Sequence, residues 1–195
     1  MASWRQVLVV LAVILVIAVG LKIIELYSPA NMVEKDATRF VIEDLRANHP
    51  DADIAIMNIT PKYNPEGKRY FEVKARVTDD ALSPCPKRSH IYYNYPVQNF
   101  IPQPPEIITS AKCRVCTAGI CTIAFPEEAI IASYTFNATE DVRSYVEANP
   151  SAVPTATETS DNSWVVKWDA SGAPTYYVVK VRRDGSAIAV QNFPQ

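Results

Sequence analysis

Four cysteines are the residues of this chain whose type and spacing could do chemistry. Cys85 stands alone, whereas Cys113, Cys116 and Cys121 form a cluster. An even number of cysteines in an exported domain predicts structural disulfides. The sequence does not decide the pairing. We favour Cys85 joined to the cluster and the remaining two cysteines paired locally, because the long closure would hold the Pro-rich segment between them.

Two other uses of these four cysteines stay open. As thiolates, Cys85, Cys113, Cys116 and Cys121 could hold zinc or iron, and Cys113-x2-Cys116 has the spacing of a ligand pair, although Cys85 lacks a matching neighbour. Cys113 and Cys116 could instead form a redox dithiol activated by the flanking basic residues. A thioredoxin-like motif needs a long helix after its second cysteine, and the β-rich run CTIAF disfavours one.

The sequence lacks the residue sets on which most catalytic sites depend. Its five glycines form no phosphate-binding loop, no serine lies in a GxSxG context, and no HExxH occurs. We interpret His49 and His90 as surface or hydrogen-bonded residues, and the acidic pair Glu127 and Glu128 as solvated. The net charge of −2 comes from interspersed acids and bases, so nucleic acid is not an expected partner. An enzyme is not favoured.

The chain begins with an apolar stretch. Residues 7–21 carry no charged or polar side chain, Lys22 interrupts the run, and apolar residues continue to about Tyr27. A bilayer core of about 30 Å needs roughly 20 helical residues, so residues 1–28 predict a transmembrane anchor. A cleaved signal peptide is the alternative. With the anchor, the protein is a single-pass membrane protein, held in the membrane through residues 7–27, with a cytoplasmic N-terminus and an extracytoplasmic C-terminal domain.

Residues 29–95 predict a first α+β unit. Apolar residues recur at spacings of three and four over 32–48, which is typical of an amphipathic helix, and Pro50 follows its end. Strands are predicted over 54–59, 69–77 and 90–95. The second strand alternates Phe71, Val73, Ala75 and Val77 with polar residues, which indicates one buried and one wet face.

Residues 96–135 predict a Pro- and Cys-rich connection. Its prolines favour an extended, polyproline-like segment, which could bind another subunit or could be a loop held on its own domain. The candidate binding surface consists of Tyr92, Tyr93, Tyr95, Phe100 and Ile101.

Two Asn-x-Thr triplets, at Asn58 and Asn137, are candidate glycosylation sites of an exported domain.

Residues 136–195 predict a second α+β unit. A short helix beginning at Pro126, still in the connection, precedes this unit. Within the unit, a helix over 142–148 is followed by strands at 155–158, 163–168, 175–182 and 187–191, and Asp184-Gly185 predicts a hairpin turn. Tyr70, Val73, Lys74 and Arg76 match the residues 106 positions later. Each half also has an Ala-Asn helix exit, and together these matches predict an internal repeat.

The helix followed by a curled antiparallel sheet resembles the cystatin-like superfamily, specifically PepSY-type modules of exported and membrane-anchored proteins. The resemblance rests mainly on residues 139–191, where WVVKWD, PTYYVVKVRRDG and SAIAV follow the strand–strand–DG–strand rhythm, and it is weaker over 33–95. It implies two helix-plus-antiparallel-sheet units with protein-binding, regulatory or assembly-support roles. The Gln-x-Val-x-Gly hairpin of true cystatin inhibitors does not occur, so protease inhibition is not expected.

Together these features predict a membrane-anchored, extracytoplasmic, non-catalytic protein-binding or accessory subunit of a membrane or envelope complex, with other membrane or envelope proteins as partners and no cofactor. The alternative is a Cys-based protein for metal binding or thiol redox chemistry, in which the four cysteines hold zinc or iron or carry out electron transfer.

Overall fold

The protein is an α+β chain with two four-stranded antiparallel sheets. The computed structural model describes residues 34–98, 103–109, 112–116, 121–185 and 188–195, together with 13, 15–17 and 19. The first sheet is covered by one helix and the second by two helices, and each sheet has its strands in the order of the chain. The predicted fold class is confirmed at this level.

The first unit opens with helix α1 (Glu34–Asn48). Ala37, Val41 and Leu45 lie four residues apart and are buried, so they form the stripe that packs on the sheet. Glu34 and Asp36 lie in the first turn, where a negative charge favours the helix dipole. Helix α1 ends before His49-Pro50 because the residue before a proline resists helical geometry.

Four strands form the first sheet: β1 (Asp53–Tyr63), β2 (Arg69–Asp79), β3 (Lys87–Tyr95) and β4 (Glu106–Ile107). The predicted alternation of β2 is confirmed, because Phe71, Val73, Ala75 and Val77 are all buried against α1. The opposite side of the sheet presents charged and polar side chains, and we call it the polar face. Strand β4 comes from the predicted connection and adds to the first sheet.

The second unit contains α2 (Pro126–Thr135), a 3-10 turn (Asn137–Thr139) and α3 (Glu140–Ala148), followed by β5 (Ala152–Glu158), β6 (Ser163–Ala170), β7 (Thr175–Arg182) and β8 (Ile188–Pro194). Pro126 occupies the first turn of α2, and the Glu128 carboxylate accepts the backbone N–H groups of Ala124 and Phe125. Trp168 is fully buried, and its indole N–H donates to the Ser133 hydroxyl at 2.9 Å.

The residue matches on which the predicted repeat rests do not agree with the order of the strands in the two sheets. The offset of 106 aligns β2, the second strand of the first sheet, with β7, the third strand of the second sheet. By position, β2 corresponds to β6. The matches therefore reflect the alternation that any half-buried strand can show, and they are wrong as a structural alignment. The internal repeat itself stays a prediction.

The predicted membrane segment, residues 7–27, lies for the most part outside the described residues. Of that segment the structure describes Val13, Val19 and residues 15–17, which are helical, with between 51% and 69% of each residue exposed. In the described part of the chain, no helix has both the length and the hydropathy needed to cross a membrane.

Candidate interaction site

The four cysteines are joined in two disulfides. Cys85 pairs with Cys113, 28 residues later, and Cys116 pairs with Cys121, five residues later. The favoured pairing is therefore confirmed. Disulfides persist in oxidising compartments, so the folded units belong to an extracytoplasmic domain.

The pairing does not support either alternative use of the cysteines. A four-thiolate zinc or iron site needs free thiolates at Cys85, Cys113, Cys116 and Cys121, and all four sulfurs are consumed in disulfides. A redox dithiol needs Cys113 and Cys116 to pair with each other, but each has another partner. Across the residues that the structure describes, no group of three or more His, Cys, Asp or Glu side chains could hold a metal ion.

The two disulfides lie against different units. Cys85 lies in the loop between β2 and β3, so its bond to Cys113 ties the connection to the first unit. The Cys116–Cys121 disulfide lies against the β7–β8 turn. A Cβ placed on Gly185 would come within 2.8 Å of the Cys121 sulfur, and the Gly185 φ of +68° also favours glycine. Beyond Cys121, the buried Ile123 enters the core of the second unit.

A buried ion pair joins the two units where α2 begins. The Arg88 guanidinium on β3 donates from Nη1 to Glu127 Oε2 at 3.0 Å, and both side chains are about 6% exposed. The other carboxylate oxygen of Glu127 accepts the Thr78 hydroxyl at 2.8 Å. The Arg88 guanidinium carbon lies 4.0 Å from the centre of the Phe125 ring. The start of α2 thus covers one end of the polar face. The interpretation of Glu127 as solvated is wrong.

His90 continues this network toward solvent. Arg88 Nε donates to His90 Nε2 at 3.1 Å, and His90 Nδ1 lies 3.0 Å from Glu106 Oε2. An arginine only donates, so His90 Nε2 must accept, and the imidazole proton belongs on Nδ1, facing Glu106. His90 is 2% exposed, and its ring lies edge-on to Phe125. The interpretation of His90 as a hydrogen-bonded residue is confirmed.

Glu106 accepts hydrogen bonds from three donors on the polar face. Its Oε2 accepts from His90 Nδ1, from the Tyr92 hydroxyl at 3.0 Å and from Lys74 Nζ at 3.2 Å. The hydrogen bond from His90, followed by those from Lys74 and Tyr92, lowers the pKa of Glu106 to about 2. Lys74 also lies 5.2 Å from the centre of the Tyr92 ring. Glu106, Lys74 and Tyr92 form a charged and aromatic patch, which we call the Glu106 patch.

The Glu106 patch is suited to recognition rather than proton transfer. A general base must reach the proton that it removes, whereas both ring nitrogens of His90 are engaged and the ring is buried. Glu106, by contrast, keeps about half of its side chain exposed, and Tyr92 and Lys74 lie partly exposed beside it. Such groups can contact a partner through hydrogen bonds, charge and an aromatic surface.

Comparison with known proteins adds little. No protein-family model matches the chain, and no curated protein matches it. Among solved structures, one match is a crystal structure of a Clostridium difficile 630 protein assigned as a lipoprotein. It shares 11% sequence identity and a TM-score of 0.21, over 78% of this chain and 90% of that chain. At that TM-score the match establishes neither a common fold nor a common function. The cystatin-like resemblance stays an expectation.

The structure places the predicted tyrosines on opposite sides of β3. Tyr93 and Tyr95 face α1, where both pack against Phe40. The Tyr93 hydroxyl donates to Asp44 at 2.6 Å, and burial raises the pKa of Tyr93 above its usual range. Tyr92 faces the other way, into the Glu106 patch. These three residues therefore do not form one surface. Phe100 and Ile101 lie outside the described residues.

The two Asn-x-Thr triplets differ in access. Asn58 is exposed on β1, and its side-chain amide donates to the Thr60 hydroxyl at 3.0 Å. Asn137 is also exposed, but Thr139 is fully buried and its hydroxyl donates to the Phe136 carbonyl. The Asn58 triplet is thus the more accessible in the folded domain.

A polar cavity of about 620 Å³ lies beside the turns at one end of the second sheet. Asp161, which contributes to its lining, already accepts hydrogen bonds from Lys180, Ser163 and Thr159. The bond from Lys180 is the main reason that the pKa of Asp161 lies well below its usual range. These three hydrogen bonds account for the Asp161 carboxylate as part of a turn, so its position requires no ligand.

Acid should weaken the contribution of Glu106 to stability. The folded protein holds the pKa of Glu106 at about 2, below the ordinary value of about 4.5, so the stabilisation is complete above about pH 4.5 and is lost as the pH falls toward 2. We expect the unfolding midpoint of Glu106→Gln to lie below that of the wild type at pH 6, and this difference to shrink steadily on acidification. Thermal unfolding at several pH values measures it.

Tyr92→Phe serves as the graded control for this experiment. It removes one of the three donors to Glu106 but keeps the ring and the carboxylate. Its difference from the wild type should be smaller than that of Glu106→Gln and should shrink over the same pH range. A difference between Glu106→Gln and the wild type that stays constant from pH 6 to pH 2 would contradict the assignment.

Proposed function

We propose that the chain is a membrane-anchored, extracytoplasmic, non-catalytic binding or accessory subunit of a membrane or envelope complex. The observation that carries the proposal is the Glu106 patch, a partly exposed group of charged and aromatic side chains on a domain closed by two disulfides. The partners would be other membrane or envelope proteins. The loose cystatin-like resemblance is compatible with such a role.

The anchor in this proposal is the apolar stretch at residues 7–27, with the N-terminus on the cytoplasmic side. Its support is the length of the uncharged run over 7–21 and the exposure of Val13, Leu15, Val16, Ile17 and Val19, none of which is buried against a folded unit. Two disulfides on the other side of the segment agree with this orientation.

A photo-crosslinking amino acid at position 92, in the full chain and in its native membrane, tests the binding role. We expect a discrete cross-linked partner from position 92 and none from position 43, an exposed site on α1. Replacing Lys74 with Glu reverses a charge of the patch and should abolish that cross-link. Equal labelling from positions 92 and 43, or a cross-link that survives Lys74→Glu, would refute the surface.

Tyr92→Ala should then weaken binding of the captured partner about tenfold, because an aromatic side chain at the centre of an interface contributes strongly to affinity. Its unfolding midpoint should fall by less than that of Tyr95→Ala, since Tyr92 packs outside the core and loses only its contacts within the Glu106 patch. Tyr95→Ala is the matched control. It removes a ring that packs on Phe40 and should cost about 2 kcal/mol of stability. Unchanged affinity of Tyr92→Ala would count against the proposal.

A further inference from the structure

The direction of α1 decides which end of the first unit lies nearest the proposed anchor. Phe40, in the middle of α1, packs against Tyr95 at the end of β3, with 5.2 Å between ring centres. His49, directly after α1, lies 3.2 Å from Asp79 at the end of β2. The N-terminus of α1 therefore points to the end of the sheet that carries the β1–β2 turn.

The chain length brings this end close to the membrane. The predicted anchor ends at about Tyr27, and α1 begins at Glu34, so six residues lie between them. A fully extended chain covers at most about 3.6 Å per residue, which limits the separation to roughly 25 Å. The β1–β2 turn, at the N-terminal end of α1, is thus held near the bilayer surface.

Two highly exposed apolar residues lie at this end. Tyr63, the last residue of β1, is 70% exposed, and Val97, just after β3, is 77% exposed. Asn64 and Gln98, which directly follow them, are joined by a side-chain hydrogen bond of 3.2 Å. Tyr63 and Val97 therefore belong to one edge of the domain. Lys62, Lys68 and Arg69 lie along the same edge. Lys62 forms an ion pair with Glu72 and Lys68 forms one with Glu66, so these five residues together carry one net positive charge.

This combination fits the headgroup region of a phospholipid bilayer. Tyrosine is enriched at that depth because its ring is apolar and its hydroxyl polar, and lysine and arginine side chains extend toward the phosphates. At the opposite end of the sheet, two acidic residues, Asp79 and Asp80, stand beside the exposed Leu82. The exposed Lys87 there lies 2.8 Å from the Asp80 carboxylate, so Asp79, Asp80 and Lys87 together carry a net negative charge.

From these observations we infer that the edge formed by Tyr63 and Val97 rests in the headgroup region of the bilayer that holds the anchor. The contact orients the first unit so that the Asp79 end and the Cys85 loop point away from the membrane. Two side chains are too small to hold the domain by themselves, so the contact fixes orientation and the anchor supplies the attachment. The inference rests on the proposed membrane anchor.

Spin labels on single introduced cysteines test this orientation. Tyr63→Cys, Val97→Cys and the matched control Leu82→Cys are made in the full chain, with the native disulfides verified by peptide mapping. Each is reconstituted in phosphatidylcholine vesicles containing phosphatidylglycerol. For each label we compare the rate of collisions with oxygen to the rate of collisions with a water-soluble nickel chelate. We expect the ratio of oxygen to nickel collisions to be several-fold higher at positions 63 and 97 than at position 82.

Flotation of the same vesicles separates this inference from the proposed function. If the protein fails to float with the vesicles, the anchor is wrong and the inference falls with it. If it floats but all three labels are equally open to nickel, the anchor stands and the orientation is wrong. Labels at 63 and 97 that are shielded from both reagents, in vesicles and in detergent alike, would identify a protein contact there and overturn the lipid assignment.

Discussion

Glu127→Gln should destabilise the protein by about 3 kcal/mol. The substitution hardly changes the volume, so its main effect is to leave the Arg88 guanidinium buried without a compensating charge. Removing one partner of a buried ion pair typically costs 3–5 kcal/mol, and the lower end applies because the His90 ring and the Phe125 face still contact Arg88. Urea unfolding followed by tryptophan fluorescence measures the loss.

A double-mutant cycle shows whether the effect comes from the unpaired charge. Arg88→Met alone leaves the Glu127 carboxylate buried, whereas Arg88→Met with Glu127→Gln leaves no buried charge. We expect the double variant to be more stable than the sum of the single losses predicts, by about 2 kcal/mol. The matched control is Glu66→Gln in the exposed Glu66–Lys68 pair, which should leave the unfolding midpoint unchanged. Additive losses would show that the charges are not coupled.

The Arg88–Glu127 pair could not have been predicted from the sequence. Its two residues are 39 positions apart and belong to different units. Local periodicity carries no information on such a distance, and an acidic pair at the start of a helix is ordinarily solvated. The burial of Glu127 follows from the packing of α2 on the polar face, a tertiary contact. The same holds for Glu106, which reaches His90 through a strand only two residues long.

The elements were more predictable, because burial imposes a period on the residues. The spacing of Ala37, Val41 and Leu45 predicted α1, and the alternation in β2 predicted a strand close to its observed bounds. The strand predicted over 175–182 has the bounds of β7. The division of the tyrosines was also present in the sequence. A strand turns successive side chains to opposite faces, so Tyr92 cannot share a side with Tyr93 and Tyr95.

Removing the Cys85–Cys113 disulfide should cost about 3–4 kcal/mol. Its bond closes a loop of 28 residues, and the closure limits the freedom of the unfolded chain. In the same entropy relation, the five-residue loop of Cys116–Cys121 is worth only about 2 kcal/mol. We therefore expect the Cys85→Ala/Cys113→Ala variant to unfold at a lower urea concentration than the Cys116→Ala/Cys121→Ala variant.

The two double variants also separate chain entropy from local packing. The Cys116–Cys121 disulfide lies against Gly185, so its removal opens space beside the β7–β8 turn, whereas Cys85–Cys113 ties the connection to the first unit. If loop entropy dominates, the longer closure is the costlier to lose. The reverse order of stability would show instead that contact with Gly185 matters more than the length of the closed loop. Intact-mass analysis after thiol alkylation verifies that the remaining pair is oxidised in each variant.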